Sequence, residues 1–223
     1  DFALLSGEFV DKYRNNKEEF GTYSQVSTFF LRMNQKRGGQ DTPLKSQKLR
    51  EAIALSIDKK NLANVILNDG SKPADFLVPK GLATGPDGKD FQETFKNGIK
   101  PDAKKAAAAW EEAKKELGKD QVTIELLNYD TGNAKKVGEY VKDQIEKNLK
   151  GVTVNIKLQP FKQKLKLETE QDYDLSYAGW GPDYADPMTF LDMFQSNHSH
   201  NQMSFADSKY DDMIKKAGTE LMG

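Results

Sequence analysis

The chain has 223 residues and a nearly balanced charge, with 33 lysines and arginines against 34 aspartates and glutamates. This balance argues against nucleic acid or an anionic membrane as the main partner, because both select a basic surface. The sequence has no cysteine, which excludes disulfides, thiolate catalysis and metal sites built on cysteine. Its longest apolar runs, such as residues 52–57, are too short to cross a bilayer, so we expect a soluble chain.

The first third of the chain predicts a helix, a strand and a pair of helices. Residues 7–16 can form a short surface helix, and residues 22–34 are rich in the β-branched and aromatic residues typical of strands. Leucine and isoleucine recur near helical spacing over residues 44–57, which predicts a helix. Asp58 is placed to cap a second helix at its amino terminus, and we expect that helix to end at Gly70.

An irregular stretch separates this pair from a long helix. Residues 71–100 contain three prolines and several glycines, which predicts a surface excursion inserted into the fold. The next segment is alanine-rich, with Asp102 as its amino-terminal cap and Gly118 at its exit, and it predicts a helix. The chain has neither an internal repeat nor a low-complexity linker, so we expect one α/β unit over residues 1–223.

The second half of the chain alternates between strand and helix patterns. A strand pattern at 121–129, a helix pattern at 131–149 and a strand pattern at 151–159 form a βαβ unit, which implies parallel pairing and a right-handed crossover. A short helix around 161–170 leads to a last strand at 173–180. We therefore predict an α/β fold in which helices flank a mixed β-sheet. Ligands of such open sheets usually bind beyond the carboxyl ends of the strands.

The segment YDLSYAGWGPDYADPMTF, residues 173–190, gathers rigid residues at the end of that last strand. Asp186 directly precedes Pro187, which suits a first helical position, so Asp186 is predicted to cap a further helix. Residue types alone leave two interpretations of the remainder open. Trp180 and Asp183 could form a ligand site, or Trp180 could belong to the core while Asp183 only shapes a turn.

Three segments together resemble the oligopeptide-binding type of ABC-transporter substrate-binding proteins, extracellular solute-binding protein family 5. They are LREAIALSIDKKNLANVIL (49–67), PADFLVP (73–79) and YDLSYAGWGPDYADPMTFLDMF (173–194), and they occur in the family's own order. Members of that family are longer and have two lobes that close around a ligand. The resemblance implies that this chain is the second lobe, with the type II fold of periplasmic binding proteins. Most of the first lobe would then precede Asp1, and its returning segment would follow Gly223.

The resemblance also implies a peptide site at the end of the last strand. Gly179, Trp180 and Gly181 would pair main chain to main chain with an extended peptide, a mode that binds the backbone without reading sequence. Asp183 would accept the free α-amino group of the peptide in a charge-assisted pair. Tyr177 completes this predicted set, but it stands where some members carry an arginine, so a carboxylate clamp at that position is not implied.

The remaining candidate residues carry weaker signals. Lys135 could reach the carboxylate end of a ligand, as a basic residue does in relatives, or it could be a solvated lysine on a helix. His198 and His200 are the only histidines, and without cysteine or a suitable third ligand they do not predict a metal site. Asp183 and Asp186 could be imagined as the acid and base of a hydrolase. No nucleophile motif or phosphate loop supports that role, so we predict neither an enzyme nor a cofactor.

The function implied by the resemblance is that of the substrate-binding component of an oligopeptide ABC importer. Its partners would be an oligopeptide and the membrane permease, and we expect a monomer. The composition suits an extracellular lipoprotein of a Gram-positive cell whose anchor lies upstream. Two alternatives use the same fold: a receptor for a non-peptide ligand such as a metal chelate, haem or a sugar, and a peptide-pheromone sensor or surface adhesin.

Overall fold

The computed structural model describes residues 3–5, 8–23, 25–95 and 98–219 of the chain. Some positions of the predicted elements therefore lie outside the described residues, namely 7, 24, 96 and 97. The α-helices of the described part are α1 (Glu8–Tyr13), α2 (Gln47–Ser56), α3 (Lys59–Asn61), α4 (Phe91–Thr94), α5 (Ala103–Leu117), α6 (Gly132–Asn148), α7 (Phe161–Thr169), α8 (Met188–Leu191) and α9 (Ser208–Thr219). Its strands are β1 (Thr28–Met33), β2 (Lys36–Arg37), β3 (Gln40–Asp41), β4 (Val122–Tyr129), β5 (Val152–Gln159) and β6 (Leu175–Trp180).

One mixed sheet, in the strand order β1-β6-β4-β5, organises the fold. Strand β4 runs parallel to both β5 and β6, whereas β1 runs antiparallel to β6. The parallel β4–β5 pair is joined through α6, as the strand, helix and strand patterns predict. The predicted α/β class with a mixed sheet flanked by helices is thus confirmed. Strands β2 and β3 form a separate hairpin, whose turn places Gly38 and Gly39 at positive φ.

The main apolar core lies between the sheet and helices α2, α5 and α6. Alanines on the inner face of α5 are buried and allow α2 to approach closely, which explains the alanine-rich sequence there. Trp110 is the largest fully buried side chain, and its indole N–H donates to the Lys150 carbonyl at 2.7 Å. Burial of this kind supplies most of the stabilisation of an amphipathic helix, because isolated helices are marginal in water.

The helix boundaries follow local capping chemistry. The Asp58 carboxylate accepts the Asn61 N–H at 3.0 Å at the start of α3. The Asp102 carboxylate accepts N–H groups in the first turn of α5, and Gly118 ends that helix in the left-handed region. These predicted caps are confirmed, because aspartate satisfies free N–H groups and glycine tolerates positive φ.

The expected end of the second helix at Gly70 is wrong. After α3 the chain continues as a π-helical segment, Leu62–Leu67, and Asn68 ends it with φ 45°. Asparagine tolerates this conformation better than most residues do. The Asn68 side chain also accepts from Arg14 and donates to Asp11, which ties α1 to this end.

Strand β1 is shorter than the predicted stretch 22–34 because it begins only where its partner is present, with Thr28 opposite Trp180. Within residues 71–95 and 98–100, regular structure is confined to helix α4 and an isolated bridge between Thr84 and Asp90. In the described residues, no helix combines the length and the apolar character needed to span a membrane.

Candidate functional site

The carboxyl-terminal half of β6 is paired on one side only. Strand β1 pairs along the whole of β6, whereas β4 pairs with Leu175 and Ser176 alone. The Asn34 N–H donates to the Asp174 carbonyl at 2.8 Å, which fixes the alternation of this antiparallel ladder. By that alternation Gly179 directs its N–H and C=O away from β1. The main chain of Gly179 therefore forms an unpaired edge.

Asn128 explains why the β4–β6 ladder stops at this point. Its side-chain carbonyl accepts the Tyr129 N–H at 2.8 Å, and its side-chain amide donates to the Ala134 carbonyl at 2.6 Å. The Tyr129 N–H is thus bonded to a neighbouring side chain instead of to β6. Strand β4 therefore provides no main-chain partner for the part of β6 that contains Gly179.

Gly179 cannot carry a side chain without displacing Phe29. A Cβ built at Gly179 would lie 2.8 Å from the Phe29 ring, which covers the glycine from the opposite position on β1. The Phe29 ring also stacks on Tyr177, with 5.2 Å between centroids, and is 55% exposed. Sequence reasoning missed Phe29, because only the pairing of β1 with β6 brings it to the site.

An aromatic row continues from Tyr177 across the strand ends. The Tyr177 ring meets Tyr129 edge-on at 6.4 Å, and Tyr129 stacks on Phe161 at 6.0 Å. Phe161 is 60% exposed, whereas burial raises the pKa of the Tyr177 hydroxyl above its ordinary value. The row therefore offers an apolar, partly accessible surface next to the unpaired edge.

Buried charges lie beneath this aromatic row. The Lys164 ammonium is 4.3 Å from the Tyr129 ring centroid and donates to Glu168 at 2.6 Å. Glu168 also accepts the Ser176 hydroxyl at 2.6 Å and lies 3.9 Å from the Arg32 guanidinium. Burial lowers the pKa of Lys164, while Glu168 acts in the opposite sense. This network fastens α7 to β6 and β1.

The Trp180 side chain packs into the protein and its main chain faces β1. Its indole packs against an apolar cluster that includes Val78 and Phe190, and meets the His200 ring edge-on at 4.7 Å. The indole nitrogen is buried and has no hydrogen-bond partner in the described part of the chain. Trp180 is thus half-buried against this cluster, whereas the main-chain groups of Gly179 point away from β1. The roles of Gly179, Trp180 and Gly181 as ligand contacts stay predictions.

The two aspartates beyond the strand differ in their contacts. Asp186 accepts the Met188 N–H at 2.8 Å and so caps α8, which confirms its predicted role. Asp183 is exposed, and its own N–H donates to the Thr189 hydroxyl at 3.1 Å. Within residues 3–5, 8–23, 25–95 and 98–219, its carboxylate forms neither a hydrogen bond nor an ion pair. Gly181, also exposed, has open space around it.

The other predicted residues lie around this edge. Lys135 is exposed in the first turn of α6, which follows the carboxyl end of β4, so it lies at the same edge of the sheet as Gly179. His198 and His200 lie in one turn, where the His200 N–H donates to His198 Nδ1 at 3.2 Å. In the part of the chain that the structure describes, no three His, Asp or Glu side chains are gathered to hold a metal ion.

This chain belongs to the family of bacterial extracellular solute-binding proteins, family 5, whose middle region matches residues 1–202. A dipeptide-binding protein of Lactococcus lactis subsp. cremoris (strain MG1363) is 31% identical over 225 residues, covering 98% of this chain and 41% of that protein. The family resemblance expected from the sequence is confirmed, and the family is a class of solute-binding proteins.

Solved structures match this chain over nearly all of its length. The substrate-binding domain of an oligopeptide ABC transporter from Bacillus anthracis str. Ames is 87% identical, with a TM-score of 0.97 over 100% of this chain and 43% of that one. Listeria monocytogenes OppA bound to peptide is 40% identical, with a TM-score of 0.90 over 96% of this chain and 44% of that one. The chain thus spans about two fifths of the length of these relatives.

Proposed function

We propose that residues 1–223 form one lobe of a two-lobed protein that captures oligopeptides for an ABC importer. The observation that carries this proposal is the unpaired main-chain edge at Gly179, four residues before the exposed carboxylate of Asp183. Similarity to a dipeptide-binding protein and to a peptide-bound OppA supports a peptide as the ligand.

An extended peptide would add to the sheet beside the carboxyl-terminal half of β6. Its backbone would exchange hydrogen bonds with Gly179, while the antiparallel pairing with β1 holds that strand in place. The aromatic row of Phe29, Tyr177, Tyr129 and Phe161 would contact the peptide's side chains. Lys135, at the same edge, would face the carboxylate end of the ligand.

Asp183 would bind the ammonium group at the peptide's amino terminus. Its carboxylate has no other partner in the described residues, so binding costs no existing ion pair. A charge-assisted pair of this kind is strong when closure of the second lobe excludes water. Asp186 would not compete, because the Met188 N–H occupies it.

The cellular context follows from the importer role. The protein would act as a monomer without catalytic activity or cofactor, and would hand peptides to the membrane permease. The protein would lie outside a Gram-positive cell, held there by a lipid anchor, and the extracellular character of the family supports the outside position. Mass spectrometry of ligands retained by the full-length protein distinguishes the alternatives. We expect a heterogeneous set of short peptides, whereas one single peptide favours a pheromone sensor and haem or a metal chelate contradicts the proposal.

The substitution Asp183→Asn in the full-length protein tests the amine contact directly. It leaves a buried ammonium without its counter-charge, and breaking a buried pair costs about 3–5 kcal/mol. Calorimetry should therefore show free-amine peptides binding about two to three orders of magnitude more weakly. The same peptides with an acetylated amino terminus should bind poorly to the parent protein and change little in the variant.

Asp186→Asn is the matched control, because it removes the same charge three residues away and asparagine still caps a helix. It should leave the affinity for free-amine peptides unchanged. If Asp183→Asn binds those peptides as tightly as the parent while its melting temperature is unchanged, Asp183 is only a turn residue and the proposed amine site is wrong.

A further inference from the structure

Both histidines of the chain lie in one turn, in which the His200 ring contacts Trp180 at the end of β6 and is within electrostatic reach of Asp183. We propose that His200 is a positioning residue that holds Trp180 in place while neutral, and that its protonation opposes peptide binding. This inference rests on the proposed function, because it requires the peptide's ammonium group to lie on Asp183. Acidification would then weaken the capture of peptides.

Trp180 depends on its neighbours for its orientation. Its indole N–H is buried without an acceptor in the described residues, so no hydrogen bond fixes the ring. Packing against His200 on one side and against the apolar cluster with Phe190 supplies that constraint instead. Trp180 is also the direct neighbour of Gly179, so a shift of the indole would disturb the unpaired edge.

The surroundings of His200 favour the neutral imidazole. Burial lowers the pKa of His200, and His198 and Arg32 lower it further, whereas Asp183 and Asp192 act in the opposite sense. His198 contributes as a neighbour whose ring centroid lies 5.6 Å away. A proton on His200 would thus place a positive charge in a partly buried position near the Arg32 guanidinium.

A bound peptide should favour the neutral form of His200 further. Its ammonium group would neutralise Asp183, one of the two carboxylates that favour a charged His200. The pKa of His200 should therefore fall when the peptide binds. Coupling between two binding events is reciprocal, so protonation of His200 must lower the affinity for the peptide by the same factor by which the peptide lowers the affinity of His200 for the proton. The sign is fixed: the affinity is highest above the pKa of His200 and is lost as the pH falls through it.

Folding stability should depend on pH in the same direction. The unfolded chain binds the proton with the ordinary histidine pKa of about 6.5, whereas the folded chain binds it less readily. Lowering the pH below about 6.5 therefore favours the unfolded state, until the folded protein is also protonated. Binding must consequently be measured where the melting temperature shows that the protein remains folded.

The test measures the affinity of the full-length protein for tri-alanine with a free amino terminus, at pH 7.0 and pH 5.5. We expect measurably weaker binding at pH 5.5 than at pH 7.0, because the coupling between a proton on His200 and the peptide is reciprocal. The peptide's own amine has an ordinary pKa of about 7.7–8.0, so its protonation predicts a slight gain instead. Histidine Cε1–H signals in NMR should show that the pKa of His200 falls on saturation with the peptide.

Variants separate positioning from general damage. His200→Ala removes the imidazole ring that packs against Trp180. It should lower the affinity for tri-alanine by about three- to tenfold at pH 7.0, the range of an aromatic contact. His200→Phe should restore most of that loss, because it keeps a ring against Trp180, but it should show no pH dependence. His198→Asn is the matched control, because it removes the other imidazole but retains a side-chain acceptor for the main-chain N–H of His200. This variant should still bind tri-alanine more weakly at pH 5.5 than at pH 7.0.

The inference is overturned if the parent binds tri-alanine equally well at both pH values, or if His200→Phe retains the loss at pH 5.5. It is also overturned if the pKa of His200 does not fall on peptide binding. Failure of the proposed function is recognised separately, because Asp183→Asn then has no effect on affinity at pH 7.0.

Discussion

The two halves of strand β6 are held in different ways. Its amino-terminal half, Leu175 and Ser176, is fully buried and pairs with strands on both sides. Its carboxyl-terminal half, from Tyr177 to Trp180, pairs with β1 alone and ends at exposed residues. Substitution of residues that support the first half should lower the stability of the protein, whereas substitution of Asp183, beyond the second half, should change the proposed peptide binding.

Each half has its own kind of neighbour. Leu175 contributes to the apolar core, while Ser176 on the opposite face donates to the buried Glu168 carboxylate. The second half has glycine where a side chain would clash with Phe29. This part of β6 lacks the ladder bonds of a second neighbouring strand, and the pairing with β1 and the packing of the Phe29 and Tyr177 rings hold it in place.

The largest effect is expected for Glu168→Gln, which alters the support of the first half. The substitution removes the charge that faces both Lys164 and Arg32, and each of these three side chains is at least 94% buried. Breaking a buried pair by removing one partner costs about 3–5 kcal/mol. Urea-induced unfolding at pH 7 should therefore show a loss of that size in the free energy of unfolding.

Glu170→Gln supplies the matched control on the same helix end. Glu170 forms an exposed pair with Lys166 at 3.8 Å, and exposed pairs contribute about 0–1 kcal/mol. If Glu168→Gln costs no more than Glu170→Gln, the buried network does not support β6 and the contrast between the two halves loses its basis.

Local signals explain which parts of the fold could be predicted from the sequence. The caps at Asp58, Asp102 and Asp186 depend on hydrogen bonds within three residues, and the βαβ unit depends on periodicity within each element. The predicted helix end at Gly70 was wrong because the helix already ends at Asn68, which adopts the left-handed conformation and is held by contacts with Asp11 and Arg14. No local pattern contains those distant contacts.

The candidate site was predictable only in part for the same reason. The family motif pointed to Gly179 and Asp183, which stay predictions as ligand contacts. Phe29 reaches the site because β1 pairs with β6, which joins residues about 150 positions apart, and His200 reaches it by folding of the loop after α8 back onto Trp180. Neither the strand pattern around Phe29 nor the polar loop around His200 contains a signal for that packing.

The second prediction concerns Gly179→Ala, which tests the half of β6 that pairs on one side. The new methyl group must displace the Phe29 ring, and overpacking of this kind typically costs about 1–3 kcal/mol. In a Phe29→Ala background the same substitution should be neutral, or stabilising by up to about 1 kcal/mol, because alanine restricts the unfolded chain more than glycine does.

A double-mutant cycle over these two residues measures that coupling. Thermal and urea unfolding of the parent, both single variants and the double variant should give an interaction energy above about 0.5 kcal/mol. Additive effects within experimental error would mean that Phe29 does not require glycine at position 179. The reason for glycine would then lie in the backbone alone.

The smallest effect is expected for Asp186→Ala, which separates the two aspartates beyond the strand. The variant loses the hydrogen bond from the Met188 N–H, and removal of an amino-terminal cap costs about 1 kcal/mol. Helix α8 carries Phe190 into the cluster that holds Trp180, so this loss should register in the melting temperature. Asp186→Asn should retain the cap and the stability.

Asp183→Ala should leave the melting temperature unchanged, because within the described residues its carboxylate contacts no donor. Its main-chain N–H, which bonds to Thr189, is retained in the variant. A pair of neighbouring aspartates would then divide cleanly, one acting on stability and the other on peptide affinity. If Asp183→Ala instead destabilises the protein as much as Asp186→Ala does, the Asp183 carboxylate has a structural partner. Asp183 would then not be available to an ammonium group.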